Sequence, residues 1–264
     1  MNVRDALGAA IDALIAAGCQ TPRLDAELLI ADALDVDRGA LVSDPDRAIE
    51  GAQARVIGER VRRRVAREPV AYILGWKGFR RLVLAVDRRV LIPRPESELL
   101  VEVALELPRG AAVHDIGTGS GAVALALRDE RPDLVVSASD ASAGAVEVAR
   151  LNADRLALPL DVVVARGAPE SNEGMVVANL PYVREDEWSS LAPEIVRYEP
   201  REALVAGPDG LDAIRELVAS APAGQRLALE HAPAQAAAVR ALLRDPETRR
   251  DLAGRERVTL GNAP

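Results

Sequence analysis

The sequence predicts an α/β protein, in which a mostly parallel sheet covered by helices follows a small all-α bundle and a hairpin linker. From residue 112 onward, short apolar runs alternate with glycine-containing turns and helical patterns, which is typical of parallel strands joined by helices. The 264 residues are 49% hydrophobic but only 2% aromatic, so Ala, Val and Leu must build the core. Such a core suits α/β layers better than an aromatic-rich β-sandwich.

Apolar residues recur at helical spacing through residues 3–67. The three stripes are Leu7, Ile11, Leu14 and Ile15; Leu24, Leu28, Leu29 and Leu34; and Val56, Ile57, Val61 and Val65. Gly18 and Pro22 separate the first two helices, and Pro45 precedes the third. These patterns predict a helical domain over residues 1–75.

The apolar period changes to two at Leu82, Leu84 and Val86, which predicts a hairpin within a linker over residues 76–95. The α/β domain then covers residues 96–264, and its first helix starts at Pro95 and ends at Leu105. We expect strands at 112–115, 135–140, 162–164, 175–179, 226–230 and 257–260, and helices at 121–130, 141–156, 211–219 and 235–243.

The composition of the chain argues against nucleic-acid, metal and membrane partners. The formal net charge is -8, whereas proteins that coat phosphate backbones are usually basic, so we expect no stable nucleic-acid partner. One cysteine, Cys19, and two histidines cannot form a disulfide framework or a Cys/His zinc site, and no metal is expected. The sequence shows neither a secretory signal nor an apolar run of membrane-spanning length, which predicts a cytoplasmic protein without a membrane partner.

A glycine-rich loop, Asp115-Ile116-Gly117-Thr118-Gly119-Ser120-Gly121, lies where a predicted strand meets a helix. Its glycines permit a tight turn and bring backbone N–H groups close to a ligand, which favours a cofactor site over a plain turn. A dinucleotide site remains open, because Gly117, Gly119 and Ala122 also satisfy the relaxed dinucleotide pattern.

Asp140 ends the next predicted strand, which places its carboxylate at the same sheet edge as the glycine loop. A ribose diol would offer two hydrogen-bond donors to this carboxylate. The alternative is an N-cap for the helix that starts at Ala141, and one side chain could serve both roles.

The segment Asn179-Leu180-Pro181-Tyr182 directly follows an apolar strand. The Asn179 side-chain oxygen and a backbone carbonyl held by the adjacent Pro181 can accept both hydrogens of a planar NH₂ group, while the Tyr182 ring packs against its face. Such a site selects an amide or an exocyclic amine and aims its nitrogen at an electrophilic methyl group. A β-turn with an ordinary surface tyrosine is the alternative.

Several motifs together resemble one family across nearly the whole chain. They are Glu68–Gly75, Val90–Glu98, Asp115–Gly121, Tyr198–Leu204 with Gly207–Leu211, and Glu256–Gly261. With Asn179–Tyr182, they are similar to the N(5)-glutamine methyltransferases of peptide chain release factors, which belong to the S-adenosylmethionine-dependent, Rossmann-like methyltransferases.

The resemblance implies a Rossmann-like class I methyltransferase domain with an antiparallel closing strand, and a helical N-terminal domain that recognises the release factor. It implies that S-adenosylmethionine is bound by Asp115, Gly117, Thr118, Gly119, Ser120, Gly121, Asp140 and Asn179. The substrate glutamine of a Gly-Gly-Gln motif would be bound by Asn179, Leu180, Pro181 and Tyr182, with Asn179, Pro181 and Tyr182 catalytic. The product would be N(5)-methylglutamine.

Two departures from the family pattern keep other functions open. Leu180 stands where the family usually has proline, and Asn-Leu-Pro-Tyr also resembles the motif of rRNA adenine N(6)-dimethylases, so an RNA or DNA adenine N(6)-methyltransferase is one alternative. Ala168 stands where the family often has an aromatic residue against the adenine. With Leu180, this departure makes a non-catalytic cofactor-binding module the other alternative.

Two further charged groups invite interpretation. The arginines of the third helix, Arg60, Arg62, Arg63, Arg64 and Arg67, predict a basic face that is either solvated or docks onto an acidic partner. Glu230 and His231 end a predicted strand, and we interpret them as a strand-edge pair rather than an acid and base.

Overall fold

The computed structural model describes residues 1–169 and 174–264, and the chain divides into two compact units. The helical unit comprises residues 1–75 and 192–198, and the sheet unit comprises residues 76–191 and 199–264. The sequence places residues 192–198 in the C-terminal domain, whereas the structure groups them with the N-terminal helices.

The helical unit contains six α-helices among the described residues. They are α1 (Val3–Ala16), α2 (Pro22–Leu34), α3 (Arg38–Ser43), α4 (Gly51–Val65), α5 (Val70–Leu74) and, from the later segment, α9 (Pro193–Tyr198). Helix α1 begins where the Asn2 side chain accepts a hydrogen bond from the Asp5 N–H at 2.9 Å. Leu14, Leu34 and Ile57 are buried in one cluster, as their helical spacing predicts. Other members of the three stripes are exposed, namely Ile15, Leu24, Val56 and Val65.

The arginines in and after α4 do not form a free basic face, so both interpretations of that face are wrong for Arg64. Its guanidinium is buried and donates to Asp25 Oδ2 and Glu194 Oε1, each at 2.7 Å. Arg67 also pairs with Glu194, at 2.7 Å. The other pairs are Arg60 with Asp32, Arg62 with Glu59 and Arg63 with Glu68. Glu194 thereby joins residues 192–198 to the helical unit.

The sheet unit begins with a hairpin of β1 (Trp76–Phe79) and β2 (Leu82–Ala85). Its main sheet contains β3 (Ala112–Ile116), β4 (Val135–Asp140), β5 (Asp161–Val164), β6 (Met175–Ala178), β7 (Arg226–Glu230), β8 (Arg244–Arg250) and β9 (Glu256–Asn262). The strand order is β5-β4-β3-β6-β7-β9-β8, and β9 runs antiparallel to both neighbours while the other pairs are parallel. The predicted mostly parallel sheet with an antiparallel closing strand is confirmed.

Helices pack apolar side chains against the sheet. They are α6 (Glu98–Leu105), α7 (Ala122–Glu130), α8 (Ala143–Leu156), α10 (Asp212–Ser220) and α11 (Ala236–Arg240). Leu100 and Leu125 belong to one core cluster, and Ile214 and Leu217 to a second. Each fully buried leucine stabilises the fold by about 1.5–3 kcal/mol. Among the described residues, no helix is long and apolar enough to cross a membrane.

Strand β8 is absent from the sequence prediction. Its sequence, Arg-Asp-Pro-Glu-Thr-Arg-Arg, contains no apolar alternation, and most of it is exposed at the sheet edge. Charged side chains and proline are the residues that protect an edge strand from pairing with other chains. Hydrogen bonding to β9 therefore defines this strand, whereas hydrophobic periodicity does not.

Candidate active site

The glycine loop turns sharply between β3 and α7 through three left-handed residues. Gly117, Gly119 and Gly121 have φ values of 71°, 57° and 83°, a region that other residues enter only with strain. A β-carbon on Gly121 would lie 2.9 Å from Leu125 Cδ1, whereas one on Gly119 would meet nothing within 4 Å. Gly121 thus permits close helix packing, and Gly119 leaves open space beside the loop.

Asp115 is a buried residue whose carboxylate forms hydrogen bonds within and next to this loop. Its buried carboxylate accepts hydrogen bonds from Thr118 Oγ1 at 2.7 Å and from the Ala124 N–H at 3.2 Å. Burial raises the pKa of Asp115 to about 6, despite these two hydrogen bonds. Asp115 and Thr118 therefore hold the loop in shape from within the protein.

Asn152 is a supporting residue that the sequence analysis missed. Fully buried on α8, it donates to the Ser120 carbonyl at 2.9 Å and to the Ala85 carbonyl at 3.0 Å, and it accepts from the Ala85 N–H at 2.7 Å. It thus ties the glycine loop to hairpin strand β2. Nothing in its sequence context distinguishes it from any polar residue on an amphipathic helix.

Asp140 faces the glycine loop from the end of β4. Its Oδ2 accepts from the Gly119 N–H at 2.9 Å, and its Oδ1 accepts from the Ser142 N–H at 2.8 Å. The N-cap interpretation of Asp140 is wrong, because α8 begins at Ala143 and the Ser142 side chain caps it through the Ala145 N–H. The free lone pairs of the Asp140 carboxylate remain available to a ligand.

A cavity of about 670 Å³ lies along this sheet edge, within the size range of small-molecule sites. Of the predicted cofactor residues, Gly117, Gly119, Asp140 and Asn179 line it, whereas Asp115, Thr118, Ser120 and Gly121 do not. Ala165, Arg166, Gly167, Ala213 and Leu217 line it as well. Ala168 instead packs against the core, and its N–H donates to Ser220 Oγ at 3.2 Å.

The Asn179–Tyr182 segment follows β6 and joins the cavity to a smaller pocket. Asn179 and Leu180 line both spaces, and Tyr182 lines the smaller one, which has a volume of about 30 Å³. The Asn179 Nδ2 donates to Ser97 Oγ at 2.8 Å. Within residues 1–169 and 174–264, no donor reaches Asn179 Oδ1, so this oxygen is available as an acceptor.

The Leu180 side chain is held in place by packing, although leucine lacks the ring that restricts the backbone of proline. A β-carbon on Gly117 would lie 3.1 Å from Leu180 Cδ2, so the leucine packs directly over the first loop glycine. It also packs against the core cluster that contains Leu217. This packing holds the segment by side-chain contacts where the family's proline would hold it by its ring.

A buried carboxylate lies against the last residue of the segment. The Tyr182 hydroxyl donates to Glu230 Oε1 at 3.2 Å, and Glu230 is fully buried at the end of β7. Burial raises the pKa of Glu230 to about 7, and burial beside this carboxylate raises the pKa of Tyr182 well above its usual range. Glu230 therefore lies inside the protein against the predicted substrate segment, and the strand-edge interpretation misses this contact.

Comparisons with known proteins agree with this arrangement. The family model described as PrmC N-terminal domain matches residues 5–75, and the one described as Methyltransferase small domain matches residues 95–207. The release factor glutamine methyltransferase of Xylella fastidiosa (strain Temecula1) is 41% identical over 269 residues, which cover 96% of this chain and 98% of the relative. The chain belongs to the release factor glutamine methyltransferase family.

Other members of this family match along their full length too. The release factor glutamine methyltransferase of Mycolicibacterium smegmatis is 40% identical over 97% of this chain and 96% of its own, and that of Vibrio cholerae is 39% identical over 99% and 96%. The solved structure of the hMettl16 catalytic domain is only 12% identical, with a TM-score of 0.53 over 67% of this chain and 73% of that chain. This last likeness shows the shared fold alone.

Proposed function

We propose that this protein transfers a methyl group from S-adenosylmethionine to the side-chain amide nitrogen of the glutamine in a release factor's Gly-Gly-Gln motif. The position of Asn179 carries the proposal. Asn179 lines both the large cavity and the small pocket, and its Oδ1 accepts no hydrogen bond within residues 1–169 and 174–264. An acceptor oxygen between a cofactor-sized cavity and a second pocket suits the methylation of an NH₂ group.

The residues around the large cavity fit S-adenosylmethionine. Gly117 and Gly119 offer backbone close to a ligand, and the Asp140 carboxylate can accept from the ribose hydroxyls. Leu217 and the backbone of residues 165–167 would hold the adenine, since no aromatic side chain stands at position 168. When bound, the cofactor supplies an electrophilic methyl group on its sulfonium.

The protein's own contribution is to orient the nucleophile. The Asn179 Oδ1 and the Leu180 carbonyl would accept both hydrogens of the substrate amide, while the Tyr182 ring packs against the amide plane. Two accepted hydrogen bonds favour a nitrogen-centred lone pair and fix its direction. Correct placement, rather than a strong base, then supplies most of the rate increase.

The same acceptor pair would also fit the exocyclic amine of adenine, so the substrate assignment depends on more than the site. Full-length relatives at about 40% identity carry the name release factor glutamine methyltransferase. The net charge of -8 also disfavours a nucleic-acid substrate. Both observations favour a glutamine side chain over an adenine base as the substrate.

The helical unit, in this proposal, recognises the release factor. The PrmC N-terminal domain match covers residues 5–75, and every residue that lines the large cavity belongs to the sheet unit. The helical unit is thereby free to bind a macromolecule, as the predicted domain division requires. Because release factors act on ribosomes, the reaction belongs in the cytoplasm.

Fragment-ion mass spectrometry tests the proposal directly. An unmodified release factor incubated with the protein and S-adenosylmethionine should gain one methyl group on the glutamine of Gly-Gly-Gln. A release factor with that glutamine changed to alanine should gain none, which serves as the control. Methyl transfer to an RNA adenine, with the release factor unmodified, would overturn the substrate assignment.

A further inference from the structure

Gln235 lies directly before α11 and connects two turns of the sheet unit through its half-buried side-chain amide. Its Nε2 donates to the Tyr182 carbonyl at 2.9 Å and to the Asp209 carbonyl at 3.0 Å. Its Oε1 accepts from the Ala232 N–H at 3.0 Å. The two hydrogens of this amide are therefore both donated, and a reversed amide would place its oxygen against two carbonyl oxygens.

The residue after Tyr182 is held by backbone hydrogen bonds to a segment that lines both pockets. The Val183 N–H donates to the Leu204 carbonyl at 2.8 Å, and the Ala206 N–H donates to the Val183 carbonyl at 3.0 Å. Leu204 lines the small pocket, and Ala206 lines the large cavity. Val183 is thus fixed by the backbone alone, whereas the carbonyl of Tyr182 is bound by a side chain.

Gly210 gives Gln235 the room to reach this carbonyl. Its φ is 74°, and a β-carbon there would lie 2.2 Å from the Tyr182 carbonyl oxygen and 2.7 Å from Gln235 Nε2. Within residues 1–169 and 174–264, the Tyr182 carbonyl accepts no hydrogen bond except the one from Gln235. Loss of the Gln235 donor would therefore leave this carbonyl without a partner in the described part of the chain.

Tyr182 is held at its other end as well, because its hydroxyl donates to Glu230 Oε1 at 3.2 Å. A tyrosine ring moves only by rotation about two side-chain bonds. One contact at the main-chain carbonyl and one at the hydroxyl therefore set the plane of the ring.

We propose that Gln235 is a positioning residue that holds Tyr182 by its main-chain carbonyl, so that the tyrosine ring meets the face of the substrate amide. Gln235 lines neither the large cavity nor the small pocket, so it acts through Tyr182. In enzymes, a misplacement of about 1 Å can reduce the rate on the order of a hundredfold. This inference rests on the proposed function and extends it to a residue outside the Asn179–Tyr182 segment.

The second turn that Gln235 contacts has hydrogen bonds of its own. The Asp209 carboxylate accepts from the Leu211 N–H at 3.2 Å and from Arg215 at 2.9 Å. This turn leads into α10, whose first residues line the large cavity. Because these contacts remain when Gln235 is changed, we expect cofactor affinity to change much less than methyl transfer.

The decisive variant is Gln235→Glu, which keeps the shape of the side chain and replaces its NH₂ group by an oxygen. That oxygen would face two carbonyl oxygens, so both donated hydrogen bonds are lost. We expect kcat/KM for the release factor to fall by about tenfold or more, while S-adenosylmethionine affinity by calorimetry stays within about twofold. Gln235→Met, which removes the donors without adding a charge, should lower kcat/KM in the same way.

Gln225, directly before β7, provides a matched control. Its Nε2 donates to the Gly174 carbonyl at 3.0 Å and to the Arg226 carbonyl at 3.2 Å, and it lines neither pocket. The same two substitutions at Gln225 break a contact of the same kind at the opposite end of β7. They should leave kcat/KM unchanged. Gln225 is 1% exposed and thus more buried than Gln235, so a loss of activity through instability would be at least as large there.

A double-variant cycle with Tyr182→Ala tests the route of the effect. If Gln235 acts through the Tyr182 ring, Gln235→Glu should lower kcat/KM in the wild-type protein but cause almost no further loss in Tyr182→Ala. A general structural role would instead reduce kcat/KM by the same factor in both proteins.

The possible results separate this inference from the proposed function. If the wild-type protein does not methylate the release factor, the proposed function fails and this inference with it. If the wild-type protein is active and Gln235→Glu retains its kcat/KM, only the positioning role is overturned. A parallel loss of cofactor affinity, an equal loss in the Tyr182→Ala protein, or an equal loss in the Gln225 variants would also overturn it.

Discussion

The two units of this methyltransferase bury charged side chains in opposite ways. In the helical unit, Arg64 is buried between Asp25 and Glu194, with both contacts at 2.7 Å. In the sheet unit, Asp115 and Glu230 are buried and form no ion pair with any described residue, and burial raises their pKa values to about 6 and about 7. The first arrangement neutralises its charges, and the second leaves them costly to ionise.

This difference separates structural from functional charge. Burial opposes ionisation of Glu194, but hydrogen bonds from Arg67 and Arg64 outweigh it, so the pKa of Glu194 is lowered. The ion pairs of Arg64 hold residues 192–198 within the helical unit. The Asp115 and Glu230 carboxylates instead contact the glycine loop and the Asn179–Tyr182 segment. Removing a paired charge should therefore reduce stability, whereas changes at the site should reduce binding or turnover.

The largest effect is expected from Arg64→Met, which leaves the Asp25 carboxylate buried without its cation. Breaking a buried ion pair in this way typically destabilises a protein by about 3–5 kcal/mol. Urea denaturation followed by circular dichroism should show this loss in the helical unit. Arg62→Ala, which removes an exposed pair with Glu59 on the same helix, is the control and should change stability by at most about 0.5 kcal/mol. Equal effects of the two variants would contradict the comparison.

Asn179→Ala tests the chemistry of the sheet unit. It removes the acceptor that we propose for the substrate amide but leaves the glycine loop intact, so turnover should fall on the order of a hundredfold or more, about 2.7 kcal/mol in the barrier. Calorimetry should show nearly unchanged S-adenosylmethionine affinity. A parallel loss of turnover and affinity would indicate that Asn179 only supports the fold.

Asp140→Ala should weaken S-adenosylmethionine binding by about 1.5–3 kcal/mol, the range for a lost hydrogen bond to a charged group. The variant also removes the acceptor of the Gly119 N–H, so part of the effect would come from the loop. NAD should bind neither the wild-type protein nor the variant. Tight NAD binding without S-adenosylmethionine binding would overturn the cofactor assignment.

The sequence predicts the fold where hydrophobic periodicity determines it. The apolar runs of β3, β6 and β7 are strands because buried parallel strands need apolar side chains on both faces. The polar edge strand β8 lies outside that rule and is missed. The burial of Arg64 is also missed. A helical pattern predicts which face of the helix carries Arg64, but it cannot predict the ion pair with Glu194, which lies 130 residues away.

The candidate site shows the same division. The glycine loop, Asp140 and Asn179 could be selected from the sequence because each lies at the end of a strand or directly after it. Ser97 and Asn152 could not, because their roles come from hydrogen bonds to distant segments of the chain. Glu230 is visible in the sequence as a strand-end acid, but only the fold shows that it is enclosed and touches Tyr182.

The smallest expected effect concerns stability at the site and has the opposite sign to that of Arg64→Met. The pKa of Glu230 is about 7 in the folded protein, above the value of about 4.3 for an unfolded glutamate. The folded protein therefore binds the Glu230 proton more tightly, and this residue's contribution to stability decreases as the pH rises from about 4 to about 7. The difference in pKa corresponds to roughly 4 kcal/mol, whereas Glu230→Gln loses the hydrogen bond from Tyr182 to a charged carboxylate, which is worth about 1.5–3 kcal/mol. The variant should therefore be more stable than the wild-type protein at pH 8 by about 1–2 kcal/mol, with a smaller difference at pH 5. Urea denaturation at both pH values measures this, with Glu256→Gln as control, which removes a partly exposed carboxylate on β9 paired with Arg240. A variant that is less stable at pH 8 would show that the Glu230 carboxylate stabilises the fold. That result would contradict the claim that the buried charge of the sheet unit, unlike that of the helical unit, is costly to ionise.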